Sequence, residues 1–212
     1  MSIYLEDVSF NYGDKKVLND INLTINTGDH IGIIGSSGCG KSTLLKLLSG
    51  LYESQVGKVI VDDKTNAIEI RKSVALVMQN SMLLPTTILE NITCGHPKSE
   101  EQIKQACVTA CLTEWIHTLP DGIHTFVGER GSKVSGGQAQ RIAIARAVAK
   151  QSPVMFFDEA TSALDKETKE TVILALKQLL IGKTVINVAH NLDALKDCTK
   201  IYRLEGGRLY VS

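Results

Sequence analysis

Residues 35–43 read Gly35-Ser36-Ser37-Gly38-Cys39-Gly40-Lys41-Ser42-Thr43, the most informative segment of the chain. It matches the pattern G-x-x-x-x-G-K-[ST], in which glycines let the backbone bend around a β-phosphate and turn its N–H groups inward. Lys41 is expected to place its charge between the β- and γ-phosphates, and the Ser42 hydroxyl is expected to bind Mg²⁺. We therefore predict that residues 35–43 hold the phosphates of a nucleoside triphosphate.

The segments on either side of this loop support that interpretation, which a pattern with so few defined positions cannot carry alone. Residues 30–34 form an apolar run of strand length. After the loop, four leucines recur at helical spacing before Gly50, a natural C-terminal stop for a helix. A helix that begins at the loop directs its positive end at the same anion, so the context favours phosphate binding over an ordinary glycine-rich loop.

The composition indicates a globular protein with balanced charge. The chain has 212 residues, 43% of them hydrophobic, which suffices for one domain or one domain with a small lobe. Lys and Arg together number 23, as do Asp and Glu, which argues against a broad nucleic-acid-binding face. No apolar run approaches the roughly 18 residues that span a bilayer, and residues 1–7 lack signal-peptide features, so we expect the chain itself to stay in the cytoplasm. Five cysteines without a scaffold-like spacing suggest free thiols.

Periodic patterns predict the order of the elements. Apolar and polar residues alternate from residue 3 to residue 25, which indicates an antiparallel β region. Further strand patterns cover residues 58–62, 74–78, 154–157 and 184–189, and helical patterns cover residues 99–116 and 166–180. Strands that alternate with helices indicate a parallel sheet. We predict an α/β fold with a P-loop NTPase core, a mainly parallel sheet, an N-terminal antiparallel β region and an inserted α-helical lobe.

Two carboxylates follow the apolar run at residues 154–157. The first, Asp158, is expected to hold Mg²⁺ through water, while Glu159 faces the water that attacks the γ-phosphorus and polarises or deprotonates it. Taken alone this pattern is weak, because acids at the end of a strand are often solvated or cap the next helix. The phosphate loop in the same chain favours the catalytic interpretation.

A second glycine turn occurs at residues 134–138, which read Val134-Ser135-Gly136-Gly137-Gln138 before a helical pattern. A Ser-Gly-Gly turn that starts a helix makes another N-terminus suited to an anion. If this turn belongs to the helical lobe, one nucleotide cannot be expected to touch both glycine turns within a single molecule. A head-to-tail dimer with two-fold symmetry would bring the Ser135 turn of one chain over the γ-phosphate held by Lys41 of the other.

These motifs together resemble the nucleotide-binding domain of ABC transporters over essentially the whole chain. By that resemblance, residues 35–43 are the Walker A loop, residues 154–159 the Walker B strand and residues 134–138 the signature sequence. The resemblance implies one ATPase domain, with the β region and RecA-like core at approximately residues 1–80 and 150–212 and the lobe at approximately 81–149. It also implies ATP and Mg²⁺ as cofactors and a second nucleotide-binding domain as partner.

The resemblance assigns roles to single residues as well. Gln79 matches the glutamine that senses Mg²⁺ and the attacking water, and His190 matches the switch histidine that contacts the γ-phosphate. Tyr12 stands where the family has an aromatic ring that stacks on adenine, and residues 162–165 resemble the loop that lies across the dimer seam. By spacing alone, such a histidine or tyrosine is more often a packed or exposed residue; its register with three motifs favours the functional role.

The branch indicated is the exporter, because residues 127–131 and 87–92 resemble exporter segments. This implies a transmembrane domain as partner, fused or separate, and a place at the cytoplasmic face of the cell membrane. The transported substrate is not encoded in this segment. One alternative is an ABC ATPase that acts on ribosomes or chromosomes, although paired ATPase domains or a long coiled coil would then be expected. Another is a non-catalytic ATP-binding module, which would normally lose Glu159 or His190.

Two smaller hypotheses remain open at this point. Met82 and Leu83, in an apolar stretch after Gln79, either pack into the helical lobe or form part of a socket for the membrane domain. Cys39 lies inside the phosphate loop, so its alkylation should block nucleotide binding and MgATP should protect it. An inert filler in the loop is the alternative for Cys39.

Overall fold

A computed structural model of the protein describes residues 2–212, and these residues divide into two compact units. The first unit comprises the chain up to Leu76 together with Ser152–Glu159 and Leu180–Ser212. The second comprises Val77–Gln151 and Ala160–Leu179. The second unit includes residues 160–179, and the helix within them packs against another helix of that unit.

A three-stranded antiparallel sheet begins the first unit, as the alternating pattern predicted. It contains β1 (Ile3–Tyr12), β2 (Lys15–Ile25) and β4 (Val56–Val61), with β1 in the centre. The buried positions of β1 step from Leu5 to Val8 rather than by two, because Asp7 adopts a left-handed φ of 49° and interrupts the register. In β2 the buried positions likewise step from Leu18 to Ile21, where Asp20 has a left-handed φ of 52°. The alternation therefore predicted the sheet although each of these two strands breaks it.

A six-stranded, mainly parallel sheet forms the core of the chain and confirms the predicted fold class. Its strands, in chain order, are β3 (His30–Ile34), β5 (Val74–Val77), β6 (Val154–Asp158), β7 (Thr184–Ala189), β8 (Lys200–Glu205) and β9 (Arg208–Val211). They lie side by side in the order β5-β6-β7-β3-β8-β9. The pairs β6-β7, β7-β3 and β3-β8 are parallel, whereas β8 and β9 form an antiparallel hairpin that the sequence analysis did not predict.

Two helices belong to the first unit, α1 (Lys41–Leu48) and α2 (Ala67–Ser73). The four leucines of α1 are buried, as their spacing predicted. The helix ends before Gly50, whose φ of 69° is left-handed and whose absent Cβ would lie 2.5 Å from the Ala67 carbonyl oxygen. The chain then turns back, and the N–H groups of Leu51 and Tyr52 both donate to the Lys46 carbonyl.

The second unit is helical. Its helices are α3 (Ile88–Thr93), α4 (Glu100–Thr109), α5 (Thr113–His117), α6 (Gly136–Lys150) and α7 (Lys166–Leu179). The sequence predicted one helix over residues 99–116, whereas the structure contains two. The break lies at Cys111, which adopts a left-handed φ of 52°, and the Leu112 N–H donates to the Cys107 carbonyl across the turn. Among residues 2–212, no helix is both long and apolar enough to cross a membrane.

Candidate functional site

The phosphate loop joins the end of β3 to the start of α1. Gly38 and Gly40 adopt φ values of 77° and 111°, which side chains rarely tolerate. Gly35 has no room for a side chain, because a Cβ there would lie 2.5 Å from the Leu204 carbonyl oxygen and 2.7 Å from the Cys39 sulfur. The glycines of the pattern are therefore required by the backbone of this chain itself.

The ammonium group of Lys41 is held against the loop. Its side chain is buried, and Nζ donates to the carbonyl oxygens of Gly35 at 2.8 Å and Ser36 at 2.9 Å. No carboxylate among residues 2–212 forms an ion pair with it, so a buried positive charge remains available to an anion. Gly40 is the N-cap of α1, and no described side chain caps this helix, which leaves its first N–H groups open to a ligand.

Two further predicted residues lie beside the loop. The Tyr12 hydroxyl is 3.4 Å from the Thr43 hydroxyl, and the Tyr12 ring is half-exposed. The Cys39 sulfur lies 4.0 Å from Lys41 Nζ, which puts any group attached to this sulfur beside the lysine. The alkylation of Cys39 stays a prediction. Tyr12 is close enough to α1 for one nucleotide to meet both its ring and the phosphate loop.

Glu159 and His190 meet at the carboxyl ends of two neighbouring strands, β6 and β7. His190 Nε2 is 2.5 Å from Glu159 Oε1, and the Glu159 side chain is only 10% exposed. Glu159 has a left-handed φ of 49°, and its N–H donates to the Val188 carbonyl, which anchors the turn to β7. Since β7 also pairs with β3, the two side chains and the phosphate loop follow three adjacent parallel strands.

Asp158 and Ser42 have the chemistry of a Mg²⁺ site. The Asp158 carboxylate is buried, and within residues 2–212 it has no hydrogen-bond donor and no ion-pair partner. The Ser42 hydroxyl, in the first turn of α1, is half-buried and likewise has no described partner. Mg²⁺ is usually bound by one or two protein oxygens together with phosphate oxygens and water. These two oxygen donors therefore fit the ion.

The strand-end acids do not cap the next helix, which was the alternative for them. That helix, α7, begins at Lys166, and the Thr168 N–H donates to the Asp165 carboxylate at 3.0 Å. This hydrogen bond lowers the pKa of Asp165. Capping is thus done by Asp165, while Asp158 is buried and Glu159 contacts His190.

The second glycine turn belongs to the second unit and starts α6. Ser135 is the N-cap, its Oγ accepts the Gln138 N–H at 3.2 Å, and the Gln138 side chain accepts the Ser135 N–H at 2.8 Å. A Cβ at Gly136 would meet no described atom within 4 Å, whereas one at Gly137 would lie 3.2 Å from the Ala163 carbonyl oxygen. A side chain at Gly137 would therefore crowd the Ala163 carbonyl inside the unit, whereas one at Gly136 would not.

Gln140 is a residue that the sequence analysis missed. It is buried on α6, and its Oε1 accepts the Ala163 N–H at 2.9 Å while Nε2 approaches the Ser162 hydroxyl at 3.5 Å. These contacts join the Ser135 helix to residues 162–165, the loop assigned by resemblance to a dimer seam. A polar residue within the otherwise apolar buried face of α6 was the signal that could have revealed it.

Gln79 and the stretch that follows it also belong to the second unit. Gln79 is exposed in the loop after β5. Met82 and Leu83, for which the sequence allowed two roles, differ in exposure: Leu83 is buried, whereas Met82 is 80% exposed. Leu83 thus packs inside the lobe, and only Met82, with the half-exposed Leu84 two residues on, is open to a partner.

Two polar residues, the buried Asn91 and the half-buried Arg146, hold this stretch in place and were also missed. The Asn91 amide bonds both backbone groups of Leu84, and Arg146 donates to the Asn91 side chain at 2.8 Å and to the Met82 carbonyl at 3.1 Å. Burial lowers the pKa of the Arg146 guanidinium. The backbone that presents Met82 is therefore bonded directly to α6, the helix that begins at Ser135.

Comparison with known proteins identifies similar domains in much longer chains. A family model described as ABC transporter matches residues 18–162. The chain is 44% identical over 94% of its length to YwjA, an ABC transporter ATP-binding protein of Bacillus subtilis, and 39% identical over its whole length to an ATP-dependent lipid A-core flippase of Francisella novicida. A bacterial Atm1-family ABC exporter solved with ATP bound superposes with a TM-score of 0.91 at 35% identity over 98% of the chain. The chain spans 36% or 37% of the length of each of these relatives.

Proposed function

The chain belongs to the ABC transporter family, as an ATP-binding domain, and from this premise we propose that it is the Mg²⁺-dependent ATPase that powers an exporter. One observation carries the proposal. The phosphate loop, the Glu159 turn and His190 follow three adjacent parallel strands, and Glu159 contacts His190 there. Ligands of open parallel sheets bind beyond the carboxyl ends of the strands, where these groups lie.

Binding of the phosphates is assigned to residues 35–43. The open N-terminus of α1 and the Lys41 ammonium supply positive charge in a partly buried place, where electrostatic attraction is stronger than in water. Mg²⁺ neutralises charge on the phosphate oxygens when it is bound. Ser42 would hold it directly and Asp158 through water, and the unpaired Asp158 carboxylate supports that role.

Activation of water is assigned to Glu159. Its carboxylate accepts a hydrogen bond from the attacking water, whose oxygen bonds to the γ-phosphorus as the bond to the bridging oxygen breaks. His190, half-exposed and in contact with Glu159, is suited to orient that carboxylate and to donate to a γ-phosphate oxygen. Gln79 is proposed, from the resemblance alone, to sense Mg²⁺ and the same water.

Completion of the site is assigned to a second ATP-binding domain. Ser135 Oγ accepts a hydrogen bond within its own chain, so its hydroxyl proton remains available for a phosphate oxygen. No contact within the chain requires a glycine at position 136, since a Cβ there would meet no described atom within 4 Å. This supports a role for Gly136 in letting an outside ligand approach the backbone closely. We propose a head-to-tail dimer in which residues 135–138 of each chain meet the γ-phosphate bound by the other, with residues 162–165 at the seam.

The remaining partner is proposed to be the transmembrane domain of an exporter, fused or separate, at the cytoplasmic face of the membrane. Exposed Met82 and Leu84, on a backbone held by Arg146 and Asn91, support a role for this stretch in that contact. The alternative is an ABC ATPase of ribosomes or chromosomes. Copurification of the full-length protein with membranes supports the exporter, whereas copurification with ribosomes or DNA supports the alternative.

The central test is the Glu159→Gln variant in a steady-state phosphate-release assay. Loss of the carboxylate charge should reduce turnover by at least about 100-fold while ATP binding persists. The bound nucleotide should then hold two domains together, which size-exclusion chromatography with ATP would detect. Chelation of Mg²⁺ with EDTA should abolish turnover of the unaltered protein. Turnover at the original rate in Glu159→Gln would show that the assigned base is wrong.

A further inference from the structure

We propose that Tyr52 and Gln55, in the loop between α1 and β4, are positioning residues that hold the Tyr12 ring ready for the nucleotide base. The inference rests on the proposed function, since it needs ATP bound at the phosphate loop with its base against Tyr12. Neither Tyr52 nor Gln55 belongs to a sequence motif. Their loop would contribute to the affinity for ATP by holding the ring that contacts the base.

The first contact is a cluster of three aromatic rings. Tyr52 and Phe10 are stacked, with centroids 5.4 Å apart and ring planes 8° from parallel. Tyr12 meets both edge to face, at 5.1 Å from Phe10 and 5.9 Å from Tyr52. Such pairs prefer this geometry, so the two stacked rings restrict the orientation of Tyr12 while 44% of it stays exposed.

The second contact fixes the backbone beside Tyr12. Gln55 Oε1 accepts the Asn11 N–H at 2.8 Å, and Gln55 Nε2 donates to the Asn11 carbonyl at 3.2 Å. The pairing of β1 with β4 ends at Ser9 and Val56, the first residue of β4, so the side chain of the preceding Gln55 continues the hydrogen bonding to β1 beyond the start of that strand. One side chain therefore bonds both backbone groups of the residue before Tyr12.

The third contact relates this cluster to the phosphate loop through α1. The Tyr52 N–H donates to the Lys46 carbonyl, and the Lys46 ammonium lies 5.4 Å from the centre of the Tyr52 ring. At the other end of the same helix, Thr43 lies 3.4 Å from the Tyr12 hydroxyl. The Tyr12 ring and the phosphate loop are thus both in contact with, or continuous with, the same helix, α1. A ring held at a constant distance from the phosphates loses less entropy when it binds the base.

The test compares ATP with inorganic triphosphate, which lacks the base, by calorimetry on the full-length protein. Gln55→Ala removes two hydrogen bonds at an exposed position and Tyr52→Leu removes the ring. Each should weaken ATP binding by about three- to tenfold, the range of one aromatic contact, and change triphosphate binding less than twofold. Tyr52→Phe keeps the ring and should retain the original affinity for ATP. Glu53→Ala, exposed in the same loop, is the matched control and should change neither Kd.

Two results would overturn the inference. Equal weakening of ATP and triphosphate would mean that the loop supports the phosphate site or the fold in general. Unchanged ATP binding in Gln55→Ala and in a folded Tyr52→Leu would mean that the loop does not position Tyr12. Failure of the proposed function looks different, because the unaltered protein would then bind neither ATP nor triphosphate.

Discussion

Helices α1 and α6 both begin at a glycine-containing turn, but they differ in how many of their first N–H groups have a hydrogen-bond partner within the chain. At α1 the N-cap is Gly40, in a left-handed conformation and without a side-chain cap among the described residues. At α6 the N-cap is Ser135, and it exchanges two hydrogen bonds with Gln138. The first N–H groups of any helix lack intrahelical partners. In α1 no side chain of residues 2–212 accepts a hydrogen bond from these groups, whereas in α6 the Ser135 side chain accepts one of them.

Under the proposed function, this difference would make the two turns meet an anion in different ways. The α1 turn combines open N–H groups with the buried Lys41, which suits it to hold a phosphate firmly by itself. The α6 turn is already stable without a ligand and offers a hydroxyl proton and the open surface of Gly136. It is suited to a second contact that forms and breaks, which the proposed ATP-driven dimer would require.

The largest expected effect is that of Lys41→Ala, which removes the charge from the α1 turn. Phosphate release should fall by at least about 100-fold, the usual cost of losing one charged group at a reacting phosphate. Lys72→Ala, an exposed lysine on α2, is the control and should leave turnover unchanged. Comparable activity of the two variants would mean that the α1 turn does not bind the reacting phosphate.

The next prediction compares glycine-to-alanine substitutions in the two turns, each of which adds one methyl group. Gly35→Ala should lower the free energy of unfolding by about 1–3 kcal/mol in a urea titration, because the new Cβ collides with the Leu204 carbonyl. Gly136→Ala should leave that free energy equal or up to about 1 kcal/mol higher, since alanine favours a helix, yet reduce phosphate release. A Gly136→Ala protein as active as the original would argue against a ligand at the α6 turn.

A smaller effect distinguishes capping from phosphate binding at Ser135. Ser135→Ala loses the cap and should cost about 1 kcal/mol of unfolding free energy. Ser135→Asp keeps a good cap, so stability should be retained, while its negative charge repels a phosphate and turnover should fall further than in Ser135→Ala. Wild-type turnover in Ser135→Asp would place the reacting phosphate away from α6.

The smallest expected effect concerns α3, which has a capping box with an ionisable member. Hydrogen bonds from the Thr87 backbone N–H and then from its hydroxyl lower the pKa of Glu90 below its ordinary value of about 4.3. The stabilisation is therefore present above that ordinary value and is lost as the pH falls through the lowered one. Glu90→Gln keeps an acceptor without the charge, so its stability deficit in urea titrations should shrink as the pH is lowered from 6 through the lowered pKa of Glu90. A deficit independent of pH would contradict this account.

Much of the fold was predictable because its signals are local. The strands at residues 30–34, 154–157 and 184–189 are short apolar runs, and the four leucines of α1 repeat at helical spacing. The break between α4 and α5 was not predictable, since it depends on a left-handed conformation at Cys111, a residue type that rarely adopts it. The hairpin β8-β9 was also missed, although Gly206 and Gly207 lie at its turn.

The candidate site shows the same division between local and distant signals. Lys41, Asp158 and Glu159 were found because each stands at a defined place in a motif. Gln140 and Gln55 were not, since their partners Ala163 and Asn11 lie 23 and 44 residues away in the chain. A glutamine whose hydrogen bond spans such a distance has no signature in its neighbouring residues.

The positions where the backbone bends and the residue types that follow each strand can be read from the sequence alone, because glycine conformation and apolar periodicity are properties of neighbouring residues. Which groups lose their contact with water, and which side chains meet, depends on the folded chain. Among residues 2–212, Lys41 is buried without a carboxylate partner and Asp158 is unpaired, while His190 lies 2.5 Å from Glu159. The physical reason is that desolvation and hydrogen bonding depend on atoms close in space, whatever their separation along the chain.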